Sequence, residues 1–309
     1  MKFLNFTLLF FFVSNISCAQ ENFPPIEIPK KIEYTYKAVI EGIDIAWGLD
    51  FINDKEFIVT EKSGKLYKIS NNVKTEITGL PDVYVRGQGG LLDVALHPNF
   101  IENRLVYFSY IETDKKNYKL KGAVVARAVL ENTGFPKLSN LELIWEQTPK
   151  KKGSGHYSHK LAFGPKGSNH EGKLFITSGD RQSSLSAQDL KSSLGKLIRV
   201  NENGTFPHDN PFQANGQLAK SFWTLGHRNS LGLAFDGKGG LWSHEMGPKH
   251  GDELNFIQVG RNYGWPISSY GIKYDFDESD SKYFKSHEDH GFEEPLFALV
   301  PSVGLSSLN

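Results

Sequence analysis

One theme recurs along the chain and limits what it can fold into: an apolar strand, a turn, and a second strand heavy in aromatic or β-branched residues. Four copies are visible. The first reads GLDFINDKEFIVTEKSGKLYKIS from Gly48 and the second LLDVALHPNFIENRLVYFSYI from Leu91, each alternating apolar and polar residues about a turn. The third is KLAFGPKGSNHEGKLFITSGD from Lys160, and the fourth is GLAFDGKGGLWSHEMG from Gly232. Helical periodicity is scarce, and only Ala187 to Leu197 reads as a short helix. Repeated strand-turn-strand units in 309 residues point to a β-propeller, in which each blade buries its faces against its neighbours. A large β-sandwich is the alternative. The copies begin alike, with an apolar-x-Phe or apolar-x-Val strand, and residues of unusual type cluster between them, which favours the propeller. Loops on one face of a propeller converge on its axis.

The N-terminus has Lys2, an apolar run from Phe3 to Val13 broken only by Asn5 and Thr7, and then SNISCAQ. This is a signal-peptide pattern, with Ser17 and Ala19 suiting a cleavage after residue 19 and a run too short to span a bilayer. The expected product is secreted or periplasmic, with no transmembrane segment in the mature chain. Cys18 is the only cysteine, so no disulfide is expected; a lipid anchor through it is the alternative, with Asn15 standing where a lipobox has Leu. Residues 20–33 read as an extended, Pro- and charge-rich lead-in, and the folded domain occupies 34–309. Lys plus Arg and Asp plus Glu both number 35, so no net field recruits nucleic acid or an acidic membrane. Any charged partner must be met locally.

Chemistry-bearing residues lie in five loops beside the repeat strands: RGQGG (Arg86 to Gly90), GSGHYSHKL (Gly153 to Leu161), TSGDRQ (Thr177 to Gln182), GHRNS (Gly226 to Ser230) and the segment GPKHGDELNFIQVGRNYGWP (Gly247 to Pro266). The last combines carbonyls freed by Gly and Pro with Asp252 and Glu253, an oxygen set suited to a hard cation such as calcium. Its plainer reading is a tight surface turn. His156 follows Gly-Ser-Gly and can project into a cleft as a general base, although a loop histidine is often mere surface. His156 with His159 would be half a metal site, but no Cys or third His at metal spacing completes it. Arg228 and Asn229 offer a planar cation and an amide, suited to a flat ligand carrying carboxylates or quinone oxygens; alone they would read as a brace and a turn.

The ordered series GQGGLLDVALHPNF, NRLVYFSY, AQDLKSSLGKLIRV, DNPF, LGHRNSLGLAF and GPKHGDELNFIQVGRNYGWP resembles the glucose/sorbosone dehydrogenase family from about Ala38 onward. These are soluble aldose sugar dehydrogenases dependent on pyrroloquinoline quinone (PQQ). The resemblance implies an all-β, six-bladed β-propeller of four-stranded antiparallel blades, with the quinone in a groove on the axis. It implies that His156 takes the proton of the anomeric hydroxyl while C1 passes a hydride to the quinone, giving a lactone. Arg228 and Asn229 would lie over the quinone carbonyls, with Gln88, Tyr274 and Ser302 as further cofactor contacts. The carbonyls of Gly247 and Pro248 would hold a calcium bound to the quinone, and Glu253 and Tyr263 would hold a structural calcium. The implied partners are an aldose and an external electron acceptor, a dye or a redox protein.

Departures from the family pattern carry expectations too. Where the family reads HFGGRL, this chain reads HYSHKL, so Ser158 and His159 are expected to narrow the sugar groove. His250 stands where GPRGGDE has Gly. The chain ends at VPSVGLSSLN, which leads to the expectation of a propeller cut short before its last blade is complete. A non-catalytic propeller binding a protein or glycan at the cell surface is the rival reading. A calcium-dependent lactone hydrolase is a third, which leaves Arg228 and Asn229 without a role.

Overall fold

A computed structural model describes residues 35–131, 134–274 and 283–308. The leader, the lead-in and Cys18 lie outside these residues. Blade 1 comprises β1 (Ala46–Asn53), β2 (Glu56–Glu61), β3 (Lys65–Ser70) and β4 (Val73–Ile77). Blade 2 comprises β5 (Leu91–Leu96), β6 (Leu105–Thr113), β7 (Lys121–Glu131) and β8 (Lys137–Glu146). Blade 3 comprises β9 (Ser158–Phe163), β10 (Lys173–Ser178), β11 (Lys196–Asn201) and β12 (Phe222–Leu225). Blade 4 comprises β13 (Ser230–Phe235), β14 (Leu241–Glu245), β15 (Asp252–Phe256) and β16 (Phe297–Leu299). Each blade is an antiparallel meander in chain order.

The four sequence copies are therefore the first strands of four blades. The described residues form four complete blades where the family resemblance led to six with the last unfinished. The helix expected over Ala187 to Leu197 does not form: a 3-10 turn covers Ser184–Gln188, Gly195 turns the chain at φ 68°, and β11 begins at Lys196. A one-turn helix, α1 (Phe100–Asn103), stands instead between β5 and β6. Among the described residues no helix is long and apolar enough to cross a membrane.

Strand composition follows from burial on both faces. Successive side chains on a strand point to opposite sides, so a blade between two others needs apolar residues at every position. Phe108, Tyr110, Val124 and Ala126 of blade 2 pack with Ile58, Leu66 and Ile77 of blade 1. Their strand neighbours Tyr107 and Val125 pack instead with Leu161, Leu174 and Ile198 of blade 3. Likewise Phe175 and Leu197 leave that cluster to meet Leu233, Leu241 and Ile257 of blade 4. Between β3 and β4, Asn71 and Asn72 both take positive φ (49° and 64°), the backbone of a two-residue hairpin turn matched to strand twist.

The first strands β1, β5, β9 and β13 adjoin in that order. All four lose regular register near their first residues: between Ala46 and Leu49, between Leu91 and Val94, at the Ser158 end of β9, and between Ser230 and Gly232. Such bulges re-aim side chains. The antiparallel order then fixes where the loops meet. Gln88, His156 and Arg228 immediately precede first strands, and the loops after β10 and β14 start beside those same strand ends, since Ser178 pairs with Ser158 and Glu245 with Ser230. The five loop clusters thus share one end of the blades.

Candidate active site

At that end lies a groove of about 530 Å³ lined by Gln88, His156, Asp180, Arg228, Trp265 and Tyr274, with Gln182, Ser184, Pro248, Lys273 and Tyr283 completing its wall. His156 enters it from a left-handed turn (φ 49°), and its backbone N–H donates to Gln88 Oε1 at 2.6 Å. Gly179 permits the close approach of the next loop: a Cβ there would lie 2.2 Å from the His156 carbonyl oxygen. That loop brings Asp180, buried to 1% exposure, against the imidazole, with Oδ1 2.8 Å from Nδ1. An ionised carboxylate only accepts, so Nδ1 carries the proton and Nε2 keeps a lone pair. Asp180 Oδ1 also accepts the Gln182 N–H at 2.8 Å, and Oδ2 accepts the indole N–H of Trp265 at 2.8 Å.

Arg228 is held from three sides. Its guanidinium donates to Met246 O at 2.8 Å and lies 5.3 Å from the Trp265 ring, while its backbone N–H donates to Glu245 Oε2 at 2.5 Å. One indole therefore contacts both the carboxylate behind the base and the groove's cation. Lys196 steadies the adjoining wall: its buried Nζ donates to the carbonyls of Ser186, Ala187 and Leu194 at 2.8–3.0 Å, and burial pulls its pKa down to about 7.

The remaining expected residues divide. Tyr274 stands at the groove rim, 66% exposed. Asn229 is buried, and its Oδ1 accepts the backbone N–H and hydroxyl of Ser158 at 3.2 and 3.3 Å, so it braces the strand behind His156. Ser302 is absent from the groove lining; its hydroxyl donates to Asp252 Oδ1 at 2.8 Å. Asp252, which the sequence offered with Glu253 as a cation ligand, instead accepts the N–H groups of Gly247 and Gly304 as well and so sets the cation-like loop. The expected narrowing by Ser158 and His159 is not what the structure has. Both are buried, at 2% and 0% exposure, because φ values of 61° and 87° turn them beneath the groove. Left-handed backbone is also why glycine suits these two positions.

The oxygen set near Gly247 has the chemistry of a hard-cation site. A Cβ on Gly247 would lie 2.2 Å from both the His250 and Gly251 carbonyl oxygens, and one on Gly271 would lie 2.5 Å from that of Pro248. No group of three or more His, Cys, Asp or Glu side chains among the described residues could hold a metal, so carbonyls would carry the coordination. The Gly247 carbonyl meets no backbone N–H among the described residues. Pro248 O accepts from His250 and Ile272 at 2.6 and 3.1 Å and must release them to bind an ion.

Glu253 fits a cation better. Burial, and then the Glu245 carboxylate, push its pKa well above the usual range. It borders a void of about 10 Å³ with Ser268, whose buried hydroxyl has no partner. Tyr263 borders the same void, but its hydroxyl is committed to Phe256 O and Gln258 N at 2.7 and 2.9 Å, leaving only its backbone oxygen as a ligand.

Asp180 and Trp265 are the residues the sequence reading passed over. Both lie in the loop segments TSGDRQ and NYGWP, and a separation of 85 positions hides their contact along the chain.

Residues 43–309 match the family described as Glucose / Sorbosone dehydrogenase. The chain is 33% identical over 273 residues to the aldose sugar dehydrogenase YliI of Escherichia coli (strain K12), covering 87% of this chain and 71% of that protein. The apo-form crystal structure of soluble aldose sugar dehydrogenase from Escherichia coli aligns with a TM-score of 0.77 at 33% identity, over 86% of this chain and 75% of that one. The PQQ-bound aldose sugar dehydrogenase from Streptomyces coelicolor aligns with a TM-score of 0.71 at 26% identity, over 88% and 73%.

Proposed function

The chain belongs to the glucose/sorbosone dehydrogenase family, and on that premise we propose that it is an exported enzyme oxidising the anomeric carbon of aldoses to lactones with PQQ and calcium. The observation that carries this reading is the His156–Asp180 pair sharing one groove with Arg228. The described residues supply four antiparallel, four-stranded blades of a β-propeller.

The groove suits a flat polyanion. Trp265, Tyr274 and Tyr283 offer aromatic faces, and Arg228 and Lys273 offer cations. PQQ, when bound, supplies the electrophilic carbonyl that accepts the hydride, with calcium polarising it. The protein's own residues do the rest. His156 Nε2 takes the hydroxyl proton as the C1–H bond is broken, and Asp180 holds the imidazole in the required tautomer and opposes its new positive charge. Arg228 stabilises the negative charge that develops across the groove. Gln88 fixes the His156 backbone, and Asn229 fixes the next turn. Gly247, with Pro248 after release of its amide partners, would hold the groove calcium; Glu253 and the Tyr263 carbonyl would hold the structural one. The burial of Ser158 and His159 removes groove narrowing as a support for the non-catalytic reading.

The test is reconstitution with calcium and PQQ, followed by aldose-dependent dye reduction beside a His156→Ala variant. Loss of at least about a hundredfold in kcat is expected. Dye reduction untouched by that substitution would remove His156 as base, and cofactor binding without reduction by any aldose would return the binding-protein reading.

A further inference from the structure

The chain as a whole has equal numbers of acidic and basic residues, yet one place on it does not. The β6–β7 hairpin carries Lys115, Lys116, Lys119 and Lys121, and the β8–β9 connection carries Lys150, Lys151 and Lys152. The two runs are joined, because Lys121 and Lys151 form an antiparallel bridge with N–H to O distances of 2.8 and 2.9 Å. Glu112, Asp114 and Glu146 are the carboxylates within these segments, so seven lysines meet three acids and four positive charges remain. Lys150 absorbs two of those acids, at 2.6 Å from Glu112 and 3.5 Å from Glu146. Lys115, Lys116, Lys119 and Lys152 are exposed, and Tyr118, in the same hairpin as the first three, is 77% exposed.

Lys121, 4.8 Å over the Tyr84 ring, and Lys150, paired with Glu112, serve the fold, whereas Lys115, Lys116, Lys119 and Lys152 stand exposed on the surface. Their location is informative. Both lysine loops lie at the site end of the blades, and Arg181 ties them to the groove wall. Its guanidinium donates to the carbonyls of Lys121 at 2.7 Å, Gly153 at 2.9 Å and Gly155 at 2.9 Å, and stacks 3.8 Å over Tyr157, while its own N–H donates to His156 O at 3.2 Å. The basic surface is thus rigidly joined to the loop that carries the base.

We infer that this lysine surface is the docking site of an acidic one-electron redox protein, which takes the electrons from the groove. The inference rests on the proposed dehydrogenase reading. Each lactol converted to lactone yields two electrons and two protons; two acceptor molecules are each reduced by one electron, and the protons pass to solvent. A loop surface that joins exposed lysines to an exposed aromatic has the composition of a protein contact, with charge setting the encounter rate. A neutral chain gains this steering only from a local patch beside its site.

The experiment uses the protein loaded with PQQ and calcium, an aldose, and three acceptors: plastocyanin as an acidic blue-copper protein, a basic mitochondrial-type cytochrome c, and a small uncharged dye. Reduction of plastocyanin should outpace that of the cytochrome and fall about tenfold or more as salt rises from about 10 mM to about 200 mM, where the screening length shrinks below about 10 Å. The variant Lys115→Glu, Lys116→Glu, Lys119→Glu, Lys152→Glu should reverse the preference between the two proteins and leave dye reduction unchanged. Dye reduction intact with plastocyanin rates indifferent to salt or to the variant would overturn the inference while sparing the enzyme reading. If no dye is reduced, the enzyme reading fails instead, and calorimetric binding of plastocyanin to the unloaded protein decides the surface: binding at low salt that the variant loses supports it, and no binding overturns it. Cosedimentation with phosphatidylglycerol vesicles at salt concentrations where plastocyanin does not bind would assign the patch to a membrane and overturn the inference.

Discussion

Replacing Asp180 by Asn tests the centre of the site with one atom exchanged. The carboxylate accepts three N–H groups, from His156 and Gln182 on Oδ1 and from Trp265 on Oδ2. An amide has one accepting oxygen and one donating nitrogen. With its oxygen toward His156 and Gln182, the nitrogen faces the indole N–H, and one buried donor loses its acceptor. The opposite orientation leaves two donors facing the amide, so the first is favoured. Asp180→Asn should therefore lower stability by about 1–3 kcal/mol, the cost of a buried polar group left unpaired. The imidazole keeps its tautomer but loses the charge opposing its protonated form, so kcat for aldose-dependent dye reduction should fall about 10²- to 10⁴-fold. Trp265→Phe supplies the control, since it removes the same N–H and keeps an aromatic ring near Arg228. Alone it should destabilise by about 1–2 kcal/mol through loss of a charge-assisted bond, and in the Asp180→Asn background by nearly nothing. Chemical denaturation of the four proteins and steady-state kinetics of the cofactor-loaded forms provide the data. Additive stability losses, or a kcat within threefold of the parent, would refute the reasoning.

Lys160→Met should cost about 3–5 kcal/mol, because Lys160 Nζ lies 2.9 Å from Asp93 and its removal leaves a buried carboxylate without its cation. Burial already raises the Asp93 pKa against the pull of Lys160, so the deficit should shrink on acidification, as followed by denaturant midpoints between pH 7 and 5. For Lys196 the native pKa of about 7 lies below the ordinary lysine value of 10.5, so the unfolded chain binds the extra proton between those limits. Stability relative to Lys196→Met should accordingly rise from pH 7 toward pH 10, by at most about 1.4 kcal/mol per pH unit, measured by parallel unfolding titrations. Calcium should raise the melting temperature of the protein without quinone, and Glu253→Gln should abolish that shift; an equal shift in both would remove Glu253 as a ligand.

Much of the architecture is legible along the chain because it is local. An apolar strand, a turn and a second strand recur four times, and each recurrence begins a blade, since covering both faces of a sheet demands apolar residues at successive positions whatever lies elsewhere. Ala187 to Leu197 misled for the opposite reason. Its apolar residues serve a loop pinned from below by Lys196 and β11 itself, contacts that no periodicity records.

The site divides along the same line. The loops of His156, Gln88 and Arg228 could be grouped from the chain, because they lie directly before first strands and antiparallel pairing must bring them to one end, while the role of Gln88 came from the family resemblance. Asp180 and Trp265 meet across 85 residues, and only the stacking of blades 3 and 4 joins them. Tertiary structure also moved Ser158 and His159 beneath the groove, turned the Ser302 hydroxyl to Asp252, and occupied the Pro248 carbonyl. A sequence states which donors and acceptors are available; which partner each one takes depends on backbone handedness and on the approach of distant loops. The chain by itself thus determined the repeated blade and the end where chemistry gathers, and the fold decided which side chains face that groove and which hold it from behind.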